Sequence, residues 1–275
     1  MPQVLSLMGE ELRSGIFWKA CLAEFVGTLF FVFLGLGSTA TFNESVDWVR
    51  ISFAFGLAIA TMVHCTAHIS GGHLNPAVTV GFLVTQAITP LRAVVYILAQ
   101  TLGAMAGAGL LRAVAYPGWS GGPNTPGDGI TDVQALVMEV MLTFQLVLTV
   151  FSTVDPDRKG FTGSGPLAIG LAVGLGHLCG VQISGASMNP ARTIGSAVIS
   201  GTWDSHWVYW VGPIMGGILA AWIYHIILAP TADRGRLRKC MTCEYGAVED
   251  EPVRDIDLGI INNERSAEES GNNKM

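Results

Sequence analysis

The strongest constraint on this chain is where its charges are missing. Of the 15 Lys and Arg and 21 Asp and Glu residues in 275 positions, 17 fall between Thr231 and Met275, leaving 19 for the first 230. Charge-free windows run over 25–43, 51–91, 93–111, 140–154, 160–191 and 205–232. Several exceed the roughly 20 residues an α-helix needs to cross hydrocarbon. Backbone in a bilayer must satisfy its own polar groups, and the two-residue alternation of a barrel strand is poor here, so helices are the available answer. The expected class is an all-α, multi-pass membrane protein. Such spans exclude a soluble enzyme, and no nucleophile–base–orienter set or metal cluster is visible. No catalytic residue, cofactor, metal or nucleic-acid partner is expected.

The first apolar stretch begins near Ile16, carries Glu24 and runs too long before any small-residue cleavage pattern, so it reads as an anchor and not a signal peptide. Orientation follows from the basic residues. Arg13, Lys19, Arg92, Arg158, Lys159, Arg234, Arg236, Arg238 and Lys239 share one side if both termini and the 155–165 loop are cytoplasmic. That requires an even number of crossings, with six the natural count: about 16–40, 48–68, 91–114, 132–154, 166–182 and 206–229. Residues 1–15 then form a cytoplasmic N-terminus, 16–229 the membrane unit and 230–275 a polar tail expected to be disordered. Asn43-Glu44-Ser45 is a glycosylation sequon in a loop placed outside. Cys21, Cys65 and Cys179 read as small apolar residues. The Cys240/Cys243 pair lacks a second pair to complete a zinc site.

A phrase occurs twice. Ser70–Gly81 reads SGGHLNPAVTVG and Ser184–Gly195 reads SGASMNPARTIG, aligned at an offset of 114. The likeness extends outward: Gly56-Leu57-Ala58 matches Gly170-Leu171-Ala172, Cys65 matches Cys179, Glu24 and Thr28 match Glu139 and Thr143, and Tyr96 matches Tyr209. The chain is therefore two homologous halves, about 16–125 and 130–229. Each holds three spans, an odd number, so the second half enters the membrane from the opposite face. Such inverted repeats put the functional site at the bilayer midplane between the halves.

Asn-Pro is a helix-start signal, with Asn a favoured N-cap and Pro suited to the first helical position. Helices are expected from Pro76 to Gln86 and from Pro190 to Ser200, each about 16 Å long at 1.5 Å per residue, roughly half of a hydrocarbon core. Entering from opposite faces, these half-helices meet N-terminus to N-terminus at the centre.

Over about residues 16–229 the chain resembles the aquaporin family of major intrinsic proteins. The resemblance rests on the two NPA triplets, Asn75-Pro76-Ala77 and Asn189-Pro190-Ala191, and on AEFVGTLFFVFLGLG, AFGLAIA, GLGHL and YWVGPIMGG. It implies an hourglass of six transmembrane helices and two re-entrant half-helices, a homotetramer with one pore per subunit, and most commonly a plasma-membrane location. It also implies a selectivity filter at Phe55, His177, Ala186 and Arg192. Selection by pore diameter, lining groups, Arg and half-helix dipoles is a known feature of such pores. In the family, the carboxylates matching Glu24 and Glu139 accept backbone N–H bonds from the re-entrant loops.

Each Asn side-chain oxygen is expected to cap its own half-helix, leaving the NH2 group of Asn75 and of Asn189 to face the lumen. His177 and Arg192 are expected to supply donors at the filter, and Ile59 and Val173 an apolar wall. Glycerol-conducting relatives typically carry Asp after the second NPA-Arg and a smaller residue in place of His; here Thr193 and His177 stand there, and Ala197, Tyr209 and Trp210 also match the water-selective branch. Ala186 occupies the site of mercurial block in several relatives that carry Cys there, so block at that site is expected to be absent. The leading reading is passive water permeation across the bilayer, with ions and protons excluded. Rivals are a facilitator that also passes glycerol or urea, a structural or junctional membrane protein, and a proton-coupled transporter.

Overall fold

The structure is a computed structural model that describes residues 2–40, 46–158, 163–230 and 232. Asn43, Lys159, the basic cluster 234–239, Cys240, Cys243 and all of the expected 230–275 tail except Pro230 and Ala232 lie outside the described residues. Among the described residues there are helices and no strands. They are α1 (Pro2–Arg13), α2 (Gly15–Gly37), α3 (Trp48–Ser70), α4 (Pro76–Val84), α5 (Pro90–Val114), α6 (Asp132–Val154), α7 (Gly165–Gly180), α8 (Pro190–Ser200) and α9 (Val208–Ile223). A π-helical turn, Tyr224–Leu228, prolongs α9.

Local chemistry sets most of the starts. Asp47, Thr89 and Ser164 accept the N3 backbone N–H of α3, α5 and α7, and Thr131 with Gln134 forms a full capping box on α6. These side chains satisfy donors that a helix N-terminus leaves unpaired. Five helices are long and apolar enough to span: α2, α3, α5, α6, and α9 with its π turn. The remaining expected span, 166–182, differs. Regular helix in α7 stops at Gly180 after 16 residues, about 24 Å at 1.5 Å per residue. The crossing is finished by irregular turns, in which the N–H groups of Ile183 and Ser184 both donate to the Gly180 carbonyl at 2.9 Å.

Packing follows one pattern twice along the chain. Helix α2 lies on α5 as α6 lies on α9, while α3 and its counterpart α7 cross each other. The short helix α4 packs on α9 and the short helix α8 packs on α5, so the two short helices exchange partners across the molecule. Glycines make the contacts close, which is how helices associate in lipid, where the hydrophobic effect does not drive them together. A Cβ on Gly56 would lie 2.8 Å from the Gly170 carbonyl oxygen, and one on Gly170 would lie 2.4 Å from that of Gly56. Gly103 and Gly216 meet the carbonyls of Phe25 and Val140 in the same way. The outer face is apolar, with Leu22, Phe30, Leu57, Leu98, Met141 and Leu171 exposed, while Glu24, Gln100, Glu139 and Arg192 are buried inside.

The segment 1–15, expected as an N-terminus outside the spans, is helical over Pro2–Arg13. Val4, Met8 and Leu12 recur every four residues along α1. Glu11, also on α1, accepts from Arg92 Nε at 2.7 Å and from Thr89 Oγ1, which ties α1 to the start of α5.

Candidate pore and selectivity site

The two re-entrant loops are built to one plan. Residues 71, 72 and 74 have φ values of 89°, 62° and 49°, and residues 185, 186 and 188 have 81°, 47° and 53°. Leu74, Ala186 and Met188 are therefore held in the left-handed region, which costs a non-glycine residue of order 1 kcal/mol or more and persists only when the surroundings over-determine it. The determinants are the buried carboxylates. Glu24 accepts from the His73 N–H at 2.9 Å, the Leu74 N–H at 2.7 Å, Ser70 Oγ at 2.6 Å and Gln100 Nε2 at 2.8 Å. Glu139 accepts from the Ser187 and Met188 N–H groups, both at 2.8 Å, and from Ser184 Oγ at 2.7 Å. The Tyr96 and Tyr209 hydroxyls close each loop by donating to the carbonyls of Ser70 and Ser184 at 3.0 and 2.7 Å.

The loops lead into the half-helices. Asn75 Oδ1 accepts from the Ala77 N–H at 2.8 Å, and Asn189 Oδ1 from the Ala191 and Arg192 N–H groups at 3.0 and 3.2 Å. Pro76 and Pro190 hold the first helical position, and Ala77 and Ala191 are fully buried behind them. The first half-helix ends at Val84 instead of Gln86, because Gln86 turns to φ 59° and the Ala87 N–H folds back to the Phe82 carbonyl. A second departure concerns the carboxamide nitrogens. Asn75 Nδ2 donates to the Met188 carbonyl and Asn189 Nδ2 to the Leu74 carbonyl, each at 2.8 Å. Each NH2 group thus spends one hydrogen on bracing the opposite loop and keeps one for the cavity, whereas the sequence alone leaves both free.

Asn75 and Asn189 line a cavity of about 20 Å³ between the two half-helices, together with Ile59, Val63, Ile169 and Val173. A water needs ≳ 10–15 Å³ by this measure, so the cavity admits molecules singly. Toward one face, a further space of about 30 Å³ shares Val63, Gly72, Val78, Val150 and Ile169 with it. Toward the other lies a vestibule of about 610 Å³ whose floor includes His177 and Arg192.

At that floor Phe55 and His177 stack with centroids 4.5 Å apart, and the Arg192 guanidinium carbon sits 4.9 Å from the centre of the Phe55 ring. Arg192 Nη1 donates to the Gly122 carbonyl at 3.2 Å, to Asn124 Oδ1 and to Ser196 Oγ at 3.3 Å. Its Nε and the His177 Nε2 are buried without a protein partner. His177 Nδ1 lies 3.0 Å from the Val173 carbonyl oxygen, which only accepts, so in the neutral ring Nδ1 carries the hydrogen and Nε2 presents a lone pair. This corrects the expectation of two donors: His177 accepts, Arg192 donates. Ala186 is fully buried on the neighbouring loop, next to Gly185, whose carbonyl accepts from Asn124 Nδ2 at 2.8 Å.

The model of the family described as "Major intrinsic protein" matches residues 11–224. The chain belongs to the major intrinsic protein family. It is 50% identical over 230 residues to Aquaporin-4 of Mus musculus, covering 81% of this chain and 71% of that one. It is 46% identical over 235 residues to Aquaporin-1 of Canis lupus familiaris, covering 81% and 87%. Its fold is similar to the X-ray structure of the aquaglyceroporin from Plasmodium falciparum, with a TM-score of 0.70, 27% identity, and 77% of this chain and 97% of that one covered.

Sequence reasoning on this major intrinsic protein missed two residues. Asn124 ties its own loop to α8 and to the Gly185 loop, since its Oδ1 accepts from Thr193 Oγ1 at 2.8 Å as well as from Arg192, and its Nδ2 donates to the Gly185 carbonyl. Nothing in the run GGPNTPG distinguishes it from an ordinary turn residue. Gln100 bridges Glu24 and Thr79, at 2.8 and 2.9 Å from Nε2. The repeat could not reveal it, because the matching position in the second half is Pro213.

Proposed function

We infer that this chain is a water channel, a multi-pass membrane protein that lets water move passively down an osmotic gradient. The observation that carries this is the pair of asparagine-capped half-helices on one cavity of about 20 Å³, beneath a constriction made of Phe55, His177 and Arg192. Relatives named Aquaporin-4 and Aquaporin-1, at 50% and 46% identity, support the same reading.

A water entering the filter receives a hydrogen bond from Arg192 and gives one to His177 Nε2, while Phe55 limits the width. Arg192 leans on a carbonyl, a carboxamide and a hydroxyl and has no carboxylate in ion-pair contact among the described residues, so its charge repels cations. Past Ile59 and Val173, a water offers its oxygen to the remaining N–H of Asn75 and of Asn189 and so points its hydrogens away from both. The chain of hydrogen bonds that would relay a proton breaks there. The positive ends of α4 and α8, each equivalent to roughly half an elementary charge, reinforce the barrier.

The assignment of the filter to Phe55, His177, Ala186 and Arg192, and of loop support to Glu24 and Glu139, belongs to this proposal. So do the homotetramer, the plasma membrane, the cytoplasmic termini, the division into halves with a tail from 230, and glycosylation at Asn43. A glycerol-passing facilitator is the second reading, favoured only by the aquaglyceroporin likeness at 27% identity. Stopped-flow comparison of water and glycerol permeability in vesicles, for the natural chain and Arg192→Val, separates the two. Fast water flow with glycerol excluded, and exclusion weakened by the substitution, is expected; glycerol entry through the natural chain favours the facilitator.

A further inference from the structure

His64 and His68 stand four residues apart near the end of α3, and so on one face of that helix. Both are exposed, and both border the space of about 30 Å³ that continues the asparagine cavity. Neither ring takes part in any hydrogen bond among the described residues, so their nitrogen lone pairs are uncommitted. Two imidazoles at this helical spacing are a recurrent way to hold a transition metal such as zinc, and imidazole suits zinc, copper and nickel in particular.

We propose that His64 and His68 form a binding site for a divalent transition-metal ion at the mouth of the pore, and that the bound ion blocks water. No third His, Cys, Asp or Glu joins the pair among the described residues, so the ion keeps waters in its other positions and exchanges readily. That is the behaviour of a reversible inhibitor and not of a structural metal. The ion with its waters fills a space of about 30 Å³, which holds only one or two free waters. It also puts two positive charges on the path that leaves the asparagine cavity toward this face.

This inference rests on the water-channel reading, and the test keeps the two apart. The full chain, with Cys240→Ser and Cys243→Ser to remove the tail thiols, is purified, titrated with Zn2+ by calorimetry and reconstituted for stopped-flow osmotic shrinkage. Metal-free permeability is measured first; its absence would fault the water-channel reading alone. With Zn2+ on both faces, the expected results are one ion bound per chain, loss of most of the permeability, and recovery on chelation. His64→Gln and His68→Gln, each compared with its own metal-free value, lose both the binding and the block. Zn2+ that does not bind, binds without slowing water, or blocks the two variants as it blocks the parent overturns the proposal.

Discussion

Removing the Glu139 carboxylate tests whether buried acids hold the pore loops in shape. In Glu139→Ala, the Ser187 and Met188 N–H groups and the Ser184 hydroxyl lose their acceptor in a fully buried site. At about 1–3 kcal/mol for each buried group left unpaired, the loss is about 3–9 kcal/mol. Glu139→Gln keeps one oxygen for Ser184 and Ser187 but turns an NH2 toward the Met188 N–H, so it costs about 1–3 kcal/mol. Glu24 holds four donors where Glu139 holds three, so Glu24→Ala should be the more damaging. Thermal unfolding of each purified variant in detergent, beside its water permeability in vesicles, reads the effect. Stability and permeability should fall in the order parent, Glu139→Gln, Glu139→Ala, Glu24→Ala. An alanine variant that melts and conducts like the parent would refute the reasoning.

Gly170→Val puts a side chain into the Gly56 carbonyl and Ala60 Cβ, at 2.4 and 2.5 Å from its first carbon, and should destabilise the protein strongly; Gly109→Ala, in open space on α5, is the control that should melt like the parent. Asn124→Ala releases Arg192, Thr193 and the Gly185 carbonyl together and should admit glycerol while water still flows; unchanged solute exclusion would contradict its role as a clamp. Ala186→Cys should create mercurial block of water flow, relieved by a thiol reductant; a variant no more sensitive than the parent would place residue 186 away from the path.

The sequence was most informative where physical constraints are local or repeated. Charge-free windows located the spans because a bare charge in hydrocarbon is costly, and Asn-Pro located the half-helix starts because capping is a matter of adjacent residues. What depends on a distant partner was not legible. The carboxamide nitrogens of Asn75 and Asn189 reach carbonyls 113 and 115 positions away, and Asn124 meets Arg192 at a separation of 68. The end of α4 was equally illegible, because Gln86, a residue with no preference for left-handed backbone, adopts it. The His177 tautomer follows from Val173, one helical turn earlier, and the spacing needed to read it was present in the sequence.

Water should cross between Asn75 and Asn189 while protons do not. Vesicles loaded with a pH-sensitive dye report both fluxes in one preparation, under an osmotic gradient and then a pH gradient. Water permeability should lie far above that of protein-free vesicles, with proton entry no faster than in them. Proton entry that rises in step with the amount of protein reconstituted would contradict it.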